Sequence, residues 1–271
     1  MGETEQPKVL ASTQVATGPA RIIADPHREL GRFLEVGGFA QSYVKLDEPT
    51  FLWADYSMWV ATVIDTVGAK DAPLRVLHLG GGGMTLPRYV HGVRPNAIQT
   101  VVEMDGPLVE FVREHLPLPE GSRVDIVVGD AVEVLAGLPD AEFDIVISDV
   151  YAANQTPRGT ACLEYAQQLS RVLRPEGTCV VNVLDVEGLV MTRLHAAALN
   201  TVFEDLCVVS AHTPNVKRFL NIVMAATNSA SGLPYPAISD AAVHHDTEVA
   251  LIHGDDLAPV IAGVEPLRAQ D

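Results

Sequence analysis

From Arg75 onward the chain alternates short apolar runs with amphipathic stretches. The runs at Arg75–Leu79, Gln99–Glu103, Val124–Val128, Phe143–Ser148 and Cys179–Val183 are largely apolar and do not strictly alternate, which is the pattern of parallel strands buried on both faces. Between them the spacing predicts helices over Leu86–Val93, Pro107–Leu116, Ala131–Leu138 and Leu163–Leu173. Strand and helix in regular alternation predict an α/β fold, a doubly wound, mostly parallel sheet with helices on both faces. A helix over Glu187–Phe203 and two further runs, Leu206–Val209 and Leu220–Ala226, suit a closing antiparallel pair.

Ahead of this region, extended runs at Arg21–Ala24, Arg32–Val36 and Phe39–Val44 are punctuated by Pro26 and Gly37-Gly38, as in a small antiparallel β-hairpin unit. Asp47 or Thr50 then caps a helix from about Leu52 to Val67, with Leu52, Tyr56, Trp59, Val60 and Val63 on one face. The expected organisation is a mobile leader over residues 1–18, the hairpin unit over 19–50, a ligand-binding α/β domain over 51–228, and a loop-rich tail over 229–271 with a short element around Val249–His253.

Composition narrows the function classes. With 48% hydrophobic residues in 271, the chain has enough apolar material for a core. Thirty-five acidic against 18 basic residues leave a net charge of −17, which repels a phosphate backbone, so neither nucleic acid nor an anionic membrane is an expected partner. No apolar run approaches the roughly 20 residues of a membrane span, and the polar stretch Met1–Pro19 has no signal-peptide core, so a cytoplasmic location is expected. Cys162, Cys179 and Cys207 form no Cys-x-x-Cys pair and read as reduced core thiols. His244-His245-Asp246, His253, Asp255 and Asp256 lack a fixed ligand spacing and read as a solvated tail, so no metal site is expected.

In an open parallel sheet the ligand crevice lies at the carboxyl ends of the strands, and four such positions stand out. The first run leads into Gly80-Gly81-Gly82-Gly83, a turn that is either purely structural or lets backbone approach a ligand closely. The dinucleotide pattern G-x-G-x-x-G fails here, since its last position falls on Thr85 or Leu86, which disfavours NAD(P) but not a nucleoside-sized ligand without a pyrophosphate. Glu103, twenty residues after Gly83, is placed to accept hydrogen bonds from both hydroxyls of a ribose or else to stand in solvent, and Asp105 suits a helix N-cap. Asp130 suits a purine's exocyclic amine, the cap of the next helix, or both. Asp149 leaves an apolar strand partly desolvated, as a general base or cation-holding group would, and Tyr151 offers a hydroxyl or an aromatic face attractive to a sulfonium or ammonium.

The segments Leu77-His78-Leu79-Gly80-Gly81-Gly82-Gly83, Val102-Glu103-Met104-Asp105, Val128-Gly129-Asp130-Ala131, Phe143-Asp144-Ile145-Val146-Ile147-Ser148-Asp149 and Leu173-Arg174-Pro175-Glu176-Gly177 resemble the Rossmann-like, class I S-adenosylmethionine-binding fold. More narrowly, over about Arg21 to Ala226 and including the N-terminal hairpins, the chain resembles the spermidine synthase (polyamine aminopropyltransferase) family. That resemblance implies an S-adenosylmethionine or decarboxylated S-adenosylmethionine donor with Glu103 on the ribose, Asp130 on the adenine, and Gly80 to Gly83 against the methionine-derived part. It also implies Asp149 beside the sulfonium and the acceptor amine, a small-molecule acceptor, and a homodimer.

The departures from the family pattern are pointed. Spermidine synthases carry Gly-Gly-Gly-Asp-Gly where this chain has Gly80-Gly81-Gly82-Gly83-Met84, and Asp-Ser-Ser-Asp where it has Asp149-Val150-Tyr151-Ala152. Asp55-Tyr56-Ser57-Met58 stands where a Tyr-Gln or Tyr-His pair is expected, and Asn215-Val216-Lys217-Arg218-Phe219 where a Tyr-Pro element is expected. A doubly cationic diamine needs a carboxylate at each end, because an unpaired ammonium taken out of water costs several kcal/mol, on the order of a thousandfold in affinity. The expectation is therefore a transferase leaning to methyl transfer from S-adenosylmethionine. The alternatives are a divergent aminopropyltransferase and a nucleoside-binding protein without turnover.

Overall fold

Two sheets make up the computed structural model, which describes residues 8–69, 71–151, 155–186, 188–211, 220–242 and 249–270. The first is an antiparallel meander of β1 (Val9–Val15), β2 (Gly18–Ala24), β3 (Gly31–Val36) and β4 (Phe39–Lys45), paired in that order. Helix α1 (Asp55–Thr66) leads to the second sheet. Its parallel part is built by β5 (Arg75–Leu79), α2 (Thr85–Val93), β6 (Ile98–Glu103), α3 (Gly106–His115), β7 (Val124–Val128), α4 (Ala131–Gly137), β8 (Phe143–Ser148), α5 (Leu163–Val172) and β9 (Leu173–Asp185). After α6 (Val190–Val202) come β10 (Asp205–Ala211), β11 (Leu220–Thr227), α7 (Tyr235–Ala242), β12 (Val249–His253) and α8 (Ala258–Ile261).

The strand order of the large sheet is β12-β10-β11-β9-β8-β5-β6-β7, with β5 to β9 parallel and β10, β11 and β12 joined antiparallel. This is the expected α/β, Rossmann-like, doubly wound and mostly parallel sheet preceded by a β-hairpin unit. Val76, Leu77 and Leu79 of β5 and Ile145, Val146 and Ile147 of β8 are buried, which is why these strands read as unbroken apolar runs. The chain reverses its winding between β5 and β8, and there the ends of the two strands form the crevice.

One apolar core lies under α4, α5 and α6, a second under α1 and α2. A third joins the small sheet to α3, where Ile22, Leu34 and Val44 pack with Leu108, Phe111 and Val112. This third core fixes β4 beside the glycine turn that follows β5.

Two stretches differ from the sequence reading. The leader taken as mobile over 1–18 contains β1, hydrogen-bonded to β2 from Val9↔Ile23 to Val15↔Gly18. Its side chains are mostly exposed, so no apolar period marks it, and the strand is made by pairing with β2 and by Val15 and Ala11 at the third core. The tail after residue 229 is tied down at several points. The element expected around Val249–His253 is β12, which extends the large sheet, and the Leu163 amide donates to the Leu267 carbonyl. No helix among the described residues is long and apolar enough to cross a membrane. His244, His245 and Asp246, Ala152, and the segment Asn215 to Phe219 lie outside the described residues.

Candidate active site

The glycine turn is shaped by close backbone approach. Gly80 has φ +96°, and a Cβ there would stand 2.2 Å from the Asp149 carbonyl oxygen, so the turn after β5 can lie this close to the end of β8 only with glycine. Gly82 also has positive φ, at +46°. The next residue but one, Met84, holds φ +61° with a full side chain, at the position where the family pattern has its last loop glycine.

Glu103, at the end of β6, laces this turn. Its Oε2 accepts from the amides of Gly81 (3.0 Å) and Gly82 (3.1 Å), and its Oε1 from the amide of Asp105 (3.0 Å). Four acceptor directions on a carboxylate leave one for another donor. Asp105 is buried and caps α3 through Leu108, as expected, and it also binds the β1–β2 turn. Its Oδ1 accepts from the Ala16 amide (3.2 Å), and its Oδ2 from the amide and hydroxyl of Thr17 (both 2.9 Å). Asp130 caps α4, with Oδ1 accepting from the amides of Val132 (2.8 Å) and Glu133 (3.1 Å). Its Oδ2 has no partner among the described residues, so capping and ligand contact are compatible.

Gly80, Gly81, Gly82, Glu103 and Asp130 line a pocket of about 350 Å³, a small-molecule size, together with Thr17, Gln41 and Ser42. At its other end lies a polar cluster around Asp149. Asn182 Nδ2 donates to Asp149 Oδ1 at 2.8 Å, and the hydroxyls of Tyr56 and Tyr151 stand beside this carboxylate. Tyr151 bonds to Asn221 Oδ1 (3.0 Å) and stands in contact with Asn182. Burial pushes the Asp149 carboxyl above its ordinary value, and Asn182, Tyr151 and Tyr56 pull the other way without cancelling it. Burial first, and then the Asp149 charge, push the Tyr56 and Tyr151 phenols well above theirs, so both stay neutral donors.

Seven of the eight expected site residues, Gly80, Gly81, Gly82, Glu103, Asp130, Asp149 and Tyr151, line one pocket; Gly83, expected with them, does not, being buried against Ser42. Four residues of the pocket and its polar cluster were not anticipated: Ser42, Tyr56, Asn182 and Asn221. Tyr56, read from the sequence as part of the apolar face of α1, lines the pocket beside Asp149. A lone amide inside the apolar run Val180–Val183 is the one sequence signal that pointed to Asn182.

The sequence profile of the spermine/spermidine synthase domain matches residues 61–229. Two curated relatives differ in their chemistry. A polyamine aminopropyltransferase of Synechococcus sp. (strain JA-3-3Ab) is 30% identical over 186 residues, which is 64% of this chain and 58% of that protein. An eEF1A lysine and N-terminal methyltransferase of Bos taurus is 23% identical over 124 residues, 42% of this chain and 18% of that protein. The chain therefore spans less than two thirds of either relative. The crystal structure of a probable spermidine synthase from Corynebacterium glutamicum ATCC 13032 superposes with a TM-score of 0.87 and 26% identity over 95% of both chains. With the profile matching more than half of its length, the chain belongs to the spermine/spermidine synthase family.

Proposed function

We propose that this protein is a transferase that takes an S-adenosylmethionine-type donor and passes a methyl group from S-adenosylmethionine to a small-molecule acceptor. The observation that carries the methyl reading is the glycine turn. Gly80 to Gly83 hold no acid, and Gly83 is buried against Ser42, so no carboxylate stands there to pair with the free amine of a decarboxylated donor. The acceptor end argues in the same direction. Among the described residues of that end Asp149 is the single carboxylate, surrounded by two phenols and two amides, a poor match for both charges of a diamine.

In this reading the remaining acceptor direction of Glu103 receives a ribose hydroxyl, and Asp130 Oδ2 receives the purine's exocyclic amine. The donor brings a sulfonium that makes its methyl carbon open to in-line attack. Tyr56, Tyr151 and Asn182 fix the Asp149 carboxylate, which orients the acceptor's nucleophile and takes its proton at Oδ2 or Oδ1. Holding the two reactants in line supplies most of the acceleration, and the base readies the nucleophile. A homodimer in the cytoplasm belongs to the same proposal, as does the absence of a nucleic-acid or anionic-membrane partner, which the charge of −17 supports.

Aminopropyl transfer is the second reading, favoured by the family profile and by the likeness to the Corynebacterium protein over 95% of both chains. Incubating the protein with each donor and a panel of small amines and phenols, with mass spectrometry of the nucleoside product, separates the two. S-adenosylhomocysteine is the expected product. Accumulation of 5′-methylthioadenosine from the decarboxylated donor would transfer the assignment to aminopropyl transfer.

A further inference from the structure

We infer that Ser42, on β4 of the small N-terminal sheet, is the residue that selects the donor, by offering its hydroxyl to the carboxylate of intact S-adenosylmethionine at the place where an acidic loop side chain would otherwise stand. The inference rests on the donor reading above and deepens it.

The local geometry has three parts. First, β4 lies directly over the glycine turn. The Gly83 amide donates to Ser42 Oγ at 3.0 Å, and the neighbouring Thr85 hydroxyl donates to the Tyr43 carbonyl at 3.0 Å, so the strand is fastened on both sides of this contact. Second, the space a loop side chain would need is taken. A Cβ at Gly83 would fall 2.7 Å from Ser42 Cβ, and one at Gly82 would fall 3.0 Å from Ser42 Oγ. An acid at position 83 cannot be accommodated while β4 keeps this course. Third, Ser42 lines the pocket beside Gly80, Gly81 and Gly82, and the bond from Gly83 uses one acceptor direction of its hydroxyl while leaving the proton without an acceptor among the described residues. The adjacent Gln41 also lines the pocket and adds a neutral amide.

With the Gly83 amide on its oxygen, the Ser42 hydroxyl keeps its proton for a ligand acceptor beside the glycine turn. It suits a carboxylate, which an acid in the same place would repel, and it gives an ammonium nothing comparable, since its lone pairs are partly spent on Gly83. The part of the donor that differs between the intact and the decarboxylated form is this carboxylate. A hydrogen bond to a charged group is worth about tenfold in affinity or more.

The test is titration calorimetry of the wild type and of Ser42→Ala with three probes: S-adenosylmethionine, decarboxylated S-adenosylmethionine, and 5′-methylthioadenosine, which carries neither carboxylate nor amine. The wild type should prefer the intact donor. Ser42→Ala should weaken S-adenosylmethionine by about tenfold and leave the other two within about twofold, because only the carboxylate contact is lost. Equal weakening of all three would mean that Ser42 only holds β4 on the turn, and an unchanged preference would mean that the carboxylate lies elsewhere. Either result overturns the inference while leaving the methyl reading intact. A wild type that prefers the decarboxylated donor, or binds neither, overturns the reading and the inference together. Ser42→Cys keeps the size of the side chain with a weaker donor and should fall between serine and alanine for S-adenosylmethionine alone, which covers the case in which alanine disturbs the strand.

Discussion

Asp149 concentrates the chemistry of the site in one side chain. It keeps an edge on the pocket, is otherwise enclosed, and has its pKa raised by burial. A base of this kind works only when ionised, so turnover should fall on the acid side at a pH above the ordinary carboxylate value of about 4. Asp149→Asn preserves the shape and removes the proton acceptor. Turnover should drop by about a hundredfold or more and the acid limb should vanish from the pH profile, while S-adenosylmethionine affinity stays within about threefold. Parallel losses of turnover and donor affinity would instead make Asp149 part of the donor's binding site. The residues that hold it show where a sequence stops being informative. Asp149 was legible because it ends an apolar strand, but Tyr56 lies on the apolar face of a helix 93 positions earlier and joins the carboxylate only through the packing of α1 on the sheet. Asn221 likewise gains its meaning from pairing of β11 with β9, where it lies opposite Leu184.

At the scale of elements, the small sheet is fastened to the large one by an apolar core and by Asp105, which bonds to both α3 and the β1–β2 turn. Asp105 is 1% exposed; burial raises its pKa, but the bonds from Leu108, Thr17 and Ala16 outweigh burial and hold the carboxyl below its ordinary value. Its cap on α3 was readable from the Asp-Gly-Pro sequence, since caps are local. Its grip on Thr17, 88 residues earlier, was not, and neither was β1, whose exposed face carries no apolar signature. The parallel strands Arg75–Leu79 and Phe143–Ser148 fall on their apolar runs because burial on both faces writes itself into most residues of such a strand, whereas Val124–Val128, read from its apolar run as buried too, is the half-exposed edge strand of the sheet. Asp105→Ala removes four bonds to a charged acceptor and should cost roughly 3 kcal/mol in urea unfolding. Amide exchange should speed up in β1 and β2 more than in β5 and β8, and donor affinity should fall because Thr17 lines the pocket. Asp105→Asn keeps part of the cap and should fall between. Unchanged protection in β1 and β2 would show that the apolar contacts of Ile22, Leu34 and Val44 hold the small sheet without this clasp.

For the whole molecule, two electrostatic effects oppose each other as pH falls. A chain of net charge −17 repels itself at pH 7, and acid relieves that repulsion. Against this stand His78 and His195, buried at 1% and 2% exposure. His78 bonds to Gln99 Oε1 at 2.9 Å, His195 to the Met191 carbonyl at 2.8 Å, and burial lowers both rings from 6.5 to about 4. Between those values the unfolded chain binds more protons than the folded one, so the stability these rings contribute is complete above about 6.5 and is lost as pH falls towards 4. At pH 5 the loss is about 2 kcal/mol for each histidine. Asp149 has the opposite sign, since acid protonates a carboxyl whose charge burial disfavours, so Asp149→Asn is the background in which the histidine effect is read alone. Salt separates the global effect from the local one, because surface repulsion is screened over about 8 Å at physiological ionic strength and over about 3 Å at 1 M, whereas buried rings are beyond its reach. Urea unfolding at pH 7 and pH 5 should therefore show a drop of about 4 kcal/mol in high salt and a smaller drop in low salt. His78→Gln and His195→Gln should each remove about half of the high-salt drop. A drop between pH 7 and pH 5 that survives both substitutions would show that these two rings are not its source, since the bonded carboxylates, Asp105 first, lose their contribution only below about pH 4.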